Sequence, residues 1–159
     1  MALNNKGDKI RLFLFDLEGV LVPKNFEANS PLLQIHIQTI KKFFEKLKSL
    51  GLSSGIVTMR SEDELIDELR KNLSCPVITA SLDKVAPAEK LLAELKLSFE
   101  NLFYIGDDLF DIPLLQRAAV SASPSTGHRE VKRNVDFIIT YAIIEDLFNY
   151  ILKEIIEKK

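Results

Sequence analysis

The sequence predicts an α/β fold, a doubly wound, Rossmann-like parallel sheet, with residues 1–159 forming one domain. Three observations predict it. Short apolar runs alternate with longer stretches of helical periodicity, the order expected of β-α-β units. Runs such as LFLF at 12–15 and GIVT at 55–58 lack the polar alternation of a half-exposed strand, so helices should cover both faces of the sheet. Several of these runs also end on polar residues, which would place those residues together beyond one edge of the sheet.

The first strand, 10–16, reads IRLFLFD and stays almost wholly apolar until Asp16. Residues 20–37, VLVPKNFEANSPLLQIHI, interrupt the β-α-β order. Pro23 and Pro31 break helices and LQIHI alternates, so an extended β-hairpin projecting from the sheet is expected there. A helix over 38–50 should stop at Gly51. Strand 54–58 follows, then a helix over 61–72 opened by a capping box from Ser61 to Glu64. Strand 76–79, a helix over 85–96, strand 102–105 and a helix over 110–118 come next. Strands 119–122 and 136–140 and a helix over 143–157 complete the chain.

The 159 residues are 47% hydrophobic and 28% charged, the balance of a globular domain rather than a disordered chain. Net charge is −2, with an isoelectric point near 5.8, so no nucleic acid or anionic membrane is expected as a partner. Any anion must be held locally. The single cysteine, Cys75, precludes an internal disulfide and fits a reducing cytosol. No apolar run reaches the roughly 18 residues of a membrane span, and the polar start MALNNKGDK lacks a signal-peptide core. A cytoplasmic protein is the expectation.

Ligands of parallel α/β sheets bind beyond the carboxyl ends of the strands, near the switch in strand order. Asp16 closes the first strand, Thr58 the second, and Gly106-Asp107-Asp108 follows the fourth. Bringing Asp16, Asp107 and Asp108 together sets three negative charges side by side, which is costly without a cation among them. A hard divalent ion with oxygen ligands resolves the repulsion, and Mg²⁺ is the usual intracellular choice. Lys84 adds a cation ahead of the helix VAPAEKLLAEL.

An Asp beside a metal and an ammonium stays ionised and can attack an electrophile. A phosphoryl group suits this cluster, because Mg²⁺, Lys84, the Thr58 hydroxyl and backbone N–H groups can share its developing charge. Asp16 would then form an aspartyl-phosphate. Glu18, on the same side of an extended segment, would protonate the leaving oxygen and then activate water. Arg60, just past Thr58, is a candidate for a substrate carboxylate or phosphate.

Each residue also has a plain structural reading. Asp16 alone suits a turn or cap, Thr58 a strand, Lys84 a solvated surface and Asp111 the cap of the helix IPLLQRAA. His36 and His128 read as structural or solvated and stay outside the mechanism. The constellation, not any member, points to chemistry.

With Asp16, Thr58, Lys84 and GDDLFD at 106–111 in that order, the chain resembles the haloacid dehalogenase superfamily over nearly its full length. Within it, YIGDDLFDIPLLQRAAVSASPSTGHREVKRNVDFI and SLDKVAPAEKLLAEL are similar to runs of the capless 3-deoxy-D-manno-octulosonate 8-phosphate phosphatases and of acylneuraminate cytidylyltransferase domains. The resemblance implies a phosphatase with Asp16 as nucleophile, and Thr58 and Lys84 on the phosphate. It implies Mg²⁺ on Asp16, the Glu18 backbone carbonyl and Asp107, assisted by Asp108, with Asp111 orienting Lys84. It also implies no cap domain, in keeping with the short intervals between these residues, and a homotetramer in which one subunit's hairpin covers a neighbour's site. The implied substrate is a small phosphorylated metabolite, such as an eight- or nine-carbon sugar acid.

The chain departs from that pattern at four places. Glu18 stands where such phosphatases carry Asp, Met59 replaces a glycine, Phe110 replaces an asparagine, and Val22-Pro23-Lys24 replaces Thr-Asp-Gly. Glu18 leaves open a second reading, a catalytically weak oligomerisation or regulatory module associated with nucleotide-sugar metabolism. A receiver-like phosphoacceptor would share the residue types, but receivers place the acidic pair early, whereas Asp107-Asp108 comes late.

Overall fold

The computed structural model describes residues 6–157. The polar start read as lacking a signal peptide therefore lies partly outside the described residues. The sheet has six strands, all parallel: β1 Leu12–Phe15, β2 Ser53–Val57, β3 Val77–Ile78, β4 Leu102–Ile105, β5 Val120–Pro124 and β6 Phe137–Ile139. They run in the order β3-β2-β1-β4-β5-β6. The chain winds outward from β1 to β3, then returns to place β4 on β1's other side. That reversal makes the carboxyl ends of β1 and β4 the switch point.

Among the described residues, the α-helices that connect and flank the strands are α1 Leu33–Ser49, α2 Glu64–Asn72, α3 Val85–Glu94, α4 Ile112–Arg117, α5 Arg129–Lys132 and α6 Ile144–Tyr150. The strands are apolar on both sides because the sheet separates two cores. Phe13 and Phe15 point into one with residues of α1, α2 and α6, while Leu12 and Leu14 point into the other with α3, α4 and α5. The larger core holds an aromatic cluster in which Phe43 of α1 stacks on Phe148 of α6, with centroids 4.1 Å apart and planes 8° from parallel, and Phe15 packs edge-on to both.

The expected hairpin over 20–37 does not form. Residues 17–31 are successive turns with a single isolated bridge between Glu18 and Val22, and LQIHI opens α1 at Leu33. The alternation misleads because Leu33 and Ile37, four apart, are buried on one helical face, while Ile35 between them is 61% exposed. The real period emerges only when Ile40, Phe44 and Leu47 extend the same buried stripe.

The start of α2 also differs from the expected Ser61 capping box. Asp63 is the N-cap, its side chain accepting the Ile66 N–H at 3.0 Å. The last helix passes at Ile151 into a wider π-helical turn that runs to Ile156.

Removing the Phe148 ring should leave a cavity beside Phe43 and Phe15. Phe148→Ala is expected to lower the unfolding free energy by about 3–5 kcal/mol in urea denaturation. A loss below about 1 kcal/mol would contradict the packing described.

Candidate active site

Asp16 begins where β1 ends: its N–H donates to the Ile105 carbonyl of β4 at 3.0 Å, extending the ladder by one step before the chain turns. Thr58 continues β2 in the same way, donating to Ile78, and Gly106 continues β4, donating to Ala122. These backbone bonds bring the expected residues together. A cavity of about 220 Å³ at this edge is lined by Asp16, Glu18, Thr58, Arg60, Lys84, Asp107 and Asp108, with Lys24, Asn25 and Met59 completing it. Asp111 lies directly behind that wall and is fully buried. Phe110 is half exposed and is not part of the lining.

Lys84 is the centre of the arrangement. The residue is 3% exposed, and its ammonium donates to Asp16 Oδ1 at 3.0 Å, to Asp111 Oδ1 at 2.6 Å and to the Tyr104 hydroxyl at 3.3 Å. Burial disfavours the ammonium, but Asp16 and Asp111 outweigh burial and raise its pKa, so Lys84 stays charged.

Asp111 is saturated: Oδ1 also accepts the Tyr104 hydroxyl at 2.6 Å, and Oδ2 accepts the N–H groups of Asp107 and Asp108, each at 3.1 Å. It therefore orients Lys84 and the Asp107-Asp108 backbone, with no oxygen to spare for a metal. Burial, reinforced by the Asp111 charge, pushes the Tyr104 hydroxyl well above its ordinary pKa and keeps it neutral.

Asp16, Asp107 and Asp111 each place a carboxylate oxygen within 4.8 Å of the others. Burial, with the Asp111 charge behind it and Lys84 opposing, raises the Asp16 carboxyl well above the usual carboxylate range. Burial raises Asp107 as well, against the pull of its hydrogen bond with Asp16 and of Lys24. Two carboxylates whose ionisation burial opposes form the donor set a hard dication satisfies.

The backbone is shaped around that pair. Gly19 adopts φ +83°, and a Cβ there would collide with the Asp107 carboxylate, so glycine lets the loop after Asp16 close on Asp107. The residues present thus fit Mg²⁺.

Thr58 Oγ1 accepts the Arg60 N–H at 3.0 Å, which leaves its hydroxyl hydrogen free to donate. Asp108 caps the short turn 109–111, its carboxylate accepting the Phe110 N–H at 3.2 Å. Glu18 is tethered at both oxygens, by Arg60 Nη1 at 3.3 Å and by the Asn25 N–H at 2.9 Å. His36 Nδ1 pairs with the Leu32 carbonyl just before α1, and the His128 ring accepts the Glu130 N–H as the N-cap of α5.

The sequence reading missed three residues. Tyr104 was hidden as one aromatic in the apolar run LFYI. Lys24, whose ammonium lies 3.5 Å from Asp107 Oδ2, fell in the segment read as a hairpin. Asp63, which holds Arg60 Nε at 2.6 Å, was passed over in favour of Ser61 as the cap.

A family model described as haloacid dehalogenase-like hydrolase matches residues 23–146. That stretch begins after Asp16 and Glu18, so their placement rests on the geometry above. The chain is 29% identical over 94 residues to the 5-amino-6-(5-phospho-D-ribitylamino)uracil phosphatase YcsE of Bacillus subtilis, a match covering 53% of this chain but only 37% of that relative's length. It is 22% identical over 139 residues to the 3-deoxy-D-manno-octulosonate 8-phosphate phosphatase KdsC of Escherichia coli, covering 86% of this chain and 74% of the relative.

Among solved structures, the 3-deoxy-D-manno-octulosonate 8-phosphate phosphatase of Moraxella catarrhalis, in complex with a magnesium ion, a phosphate ion and a KDO molecule, superposes with a TM-score of 0.77. It is 24% identical, with 95% of this chain and 90% of that one covered. A subfamily III A hydrolase structure from Legionella pneumophila gives a TM-score of 0.76 at 20% identity, covering 99% and 90%. At these identities the structural likeness is one of fold.

Lys84→Met should leave Asp16 and Asp111 buried without their cation. In metal-free buffer at neutral pH, urea denaturation is expected to show a loss of about 3–5 kcal/mol relative to the native chain. Unchanged stability would mean that the ammonium does not hold the two carboxylates.

Proposed function

The chain belongs to the haloacid dehalogenase-like hydrolases, and from that membership we propose that it is a Mg²⁺-dependent phosphatase acting on a small phosphorylated metabolite. The observation that carries this reading is the convergence of Asp16, Thr58, Lys84 and Asp107 on one cavity at the switch point, with Lys84 bonded to Asp16.

Asp16 is the nucleophile. Its Oδ1 is committed to the Leu17 N–H at 2.9 Å and to Lys84, which fixes the carboxylate plane and leaves Oδ2 to attack phosphorus. The P–O bond to the leaving group breaks, and Glu18 donates the proton that the departing alkoxide takes up. In the second half, Glu18 accepts a proton from water as that water attacks the aspartyl-phosphate, releasing phosphate and restoring Asp16. Lys84 and the Thr58 hydroxyl bind the phosphoryl oxygens, and Asp111 keeps Lys84 in place. Asp16, Asp107, Asp108 and the Glu18 carbonyl would hold Mg²⁺, which supplies charge for the developing phosphoryl anion.

The KdsC relative and the Moraxella structure support a sugar-acid phosphate, of eight or nine carbons, as the substrate. We assign the protein to the cytoplasm, as its single cysteine suits, and to a homotetramer on the resemblance to the capless sugar-acid phosphatases. Among the described residues no helix is long and apolar enough to cross a membrane. One observation favours a second reading. Glu18 stands where such phosphatases carry Asp, as suits a catalytically weak oligomerisation or regulatory module.

Phosphate release from sugar phosphates and p-nitrophenyl phosphate separates the two readings. The native chain is expected to turn over only with Mg²⁺, Asp16→Asn to lose activity on the order of 10⁴-fold, and Glu18→Gln about 10²- to 10⁴-fold. No turnover on any of these substrates would shift the assignment to the module.

Metal binding has its own readout. At a hundred times its dissociation constant Mg²⁺ should add about 2.7 kcal/mol of stability, seen as a rise in Tm. Asp107→Asn should abolish that rise.

A further inference from the structure

Arg60 does not point freely into the cavity as a substrate ligand would. Nη1 donates to Glu18 Oε1 at 3.3 Å and to the Phe26 carbonyl at 2.8 Å, while Nε donates to Asp63 Oδ2 at 2.6 Å. The other Asp63 oxygen caps α2 through the Ile66 N–H. Burial raises the Asp63 carboxyl, but the Ile66 N–H and Arg60 outweigh it and hold the group below its ordinary pKa, so a carboxylate faces Arg60.

The backbone of Arg60 is fixed too. Its N–H rests on Thr58 Oγ1 and its carbonyl accepts the Ala80 N–H at 2.9 Å. Glu18 is held on its far side by the Asn25 N–H, at a residue with φ +60°. A continuous chain of bonds thus runs from the α2 N-cap through Asp63, Arg60 and Glu18 to Asn25. It latches the loop after β1 to the loop after β2, the two loops that carry Asp16 and Thr58.

We propose that Arg60 is a positioning residue for Glu18, a role that rests on the phosphatase reading. A solvent-exposed ion pair contributes little to stability, but this one is partly buried at the cavity mouth, with both partners in the lining. Glu18 has one more rotatable bond than an aspartate, and that freedom must be restrained if its carboxyl is to meet the leaving oxygen and then a water. The planar guanidinium, with separate donors for Asp63 and Glu18, supplies the restraint that lysine's single ammonium does not.

The test combines turnover with unfolding on the native chain, Arg60→Gln, Arg60→Lys, Glu18→Gln and the Glu18→Gln/Arg60→Gln double variant. Arg60→Gln is expected to lower kcat on a sugar phosphate about 10- to 100-fold with KM unchanged, and Arg60→Lys to recover only part. In the Glu18→Gln background, Arg60→Gln should cost nothing further in kcat. In urea unfolding, the double variant should be less destabilised than the two single losses together.

A rise in KM that persists in the Glu18→Gln background would make Arg60 a substrate ligand and overturn the proposal, as would additive losses in both cycles. Failure of the native chain to turn over any phosphate ester, whatever the unfolding cycle shows, would remove the phosphatase reading and the positioning role with it.

Discussion

The buried ammonium of Lys84 is the interaction on which the rest of the site depends. It is charged in a place where charge is costly, and it is there because Asp16 and Asp111 surround it. Asp111 in turn is held by Tyr104 and by two backbone N–H groups from the loop after β4. Side chains from three segments, after β1, before α3 and after β4, are therefore oriented by one ion-pair cluster. With Lys84 removed, the carboxylates would have to protonate or move apart.

This arrangement divides the acidic residues by job. Asp111 has all its lone pairs engaged inside the protein and acts as a strut, whereas Asp16 and Asp107 turn toward the cavity with their charge incompletely compensated. Burial raises both carboxyls, so Asp16 and Asp107 form a donor pair that suits a dication, while Asp111 has no oxygen left for one. Gly19 allows the loop to approach Asp107 closely enough for the cavity to close.

Glu18 and Arg60 form the adjustable side of the site. The strand-end residues are placed by ladder bonds common to any parallel sheet, while Glu18 is placed by side-chain bonds peculiar to this chain. A larger open groove beside the site shares Lys24 and Asp107 with it and lies between the turns after β1, the start of α1 (Ile35, His36) and the start of α6 (Ile143). Under the phosphatase function proposed above, the reacting groups sit on the sheet edge, and the turns that follow it form the mouth of the cavity.

The sequence by itself determined the sheet and its site-bearing edge. Runs apolar on every residue mean strands covered on both faces, and a polar residue ending such a run falls where parallel-sheet ligands bind. Asp16, Thr58, Lys84, Asp107, Asp108 and Asp111 were legible because local strand and loop order placed them. Only the tertiary structure decided three other matters. The segment 20–37 became turns and the first stretch of α1 because the stripe from Leu33 to Leu47 is completed by burial against the sheet, which five alternating residues cannot reveal. Tyr104 joined the polar cluster because the hydroxyl of a core ring reaches the Lys84 ammonium across the sheet face. Arg60 turned from solvent to Glu18 and Asp63 because a long side chain's partner is set by which loops meet in space, and residues 42 positions apart in sequence carry no local sign of it.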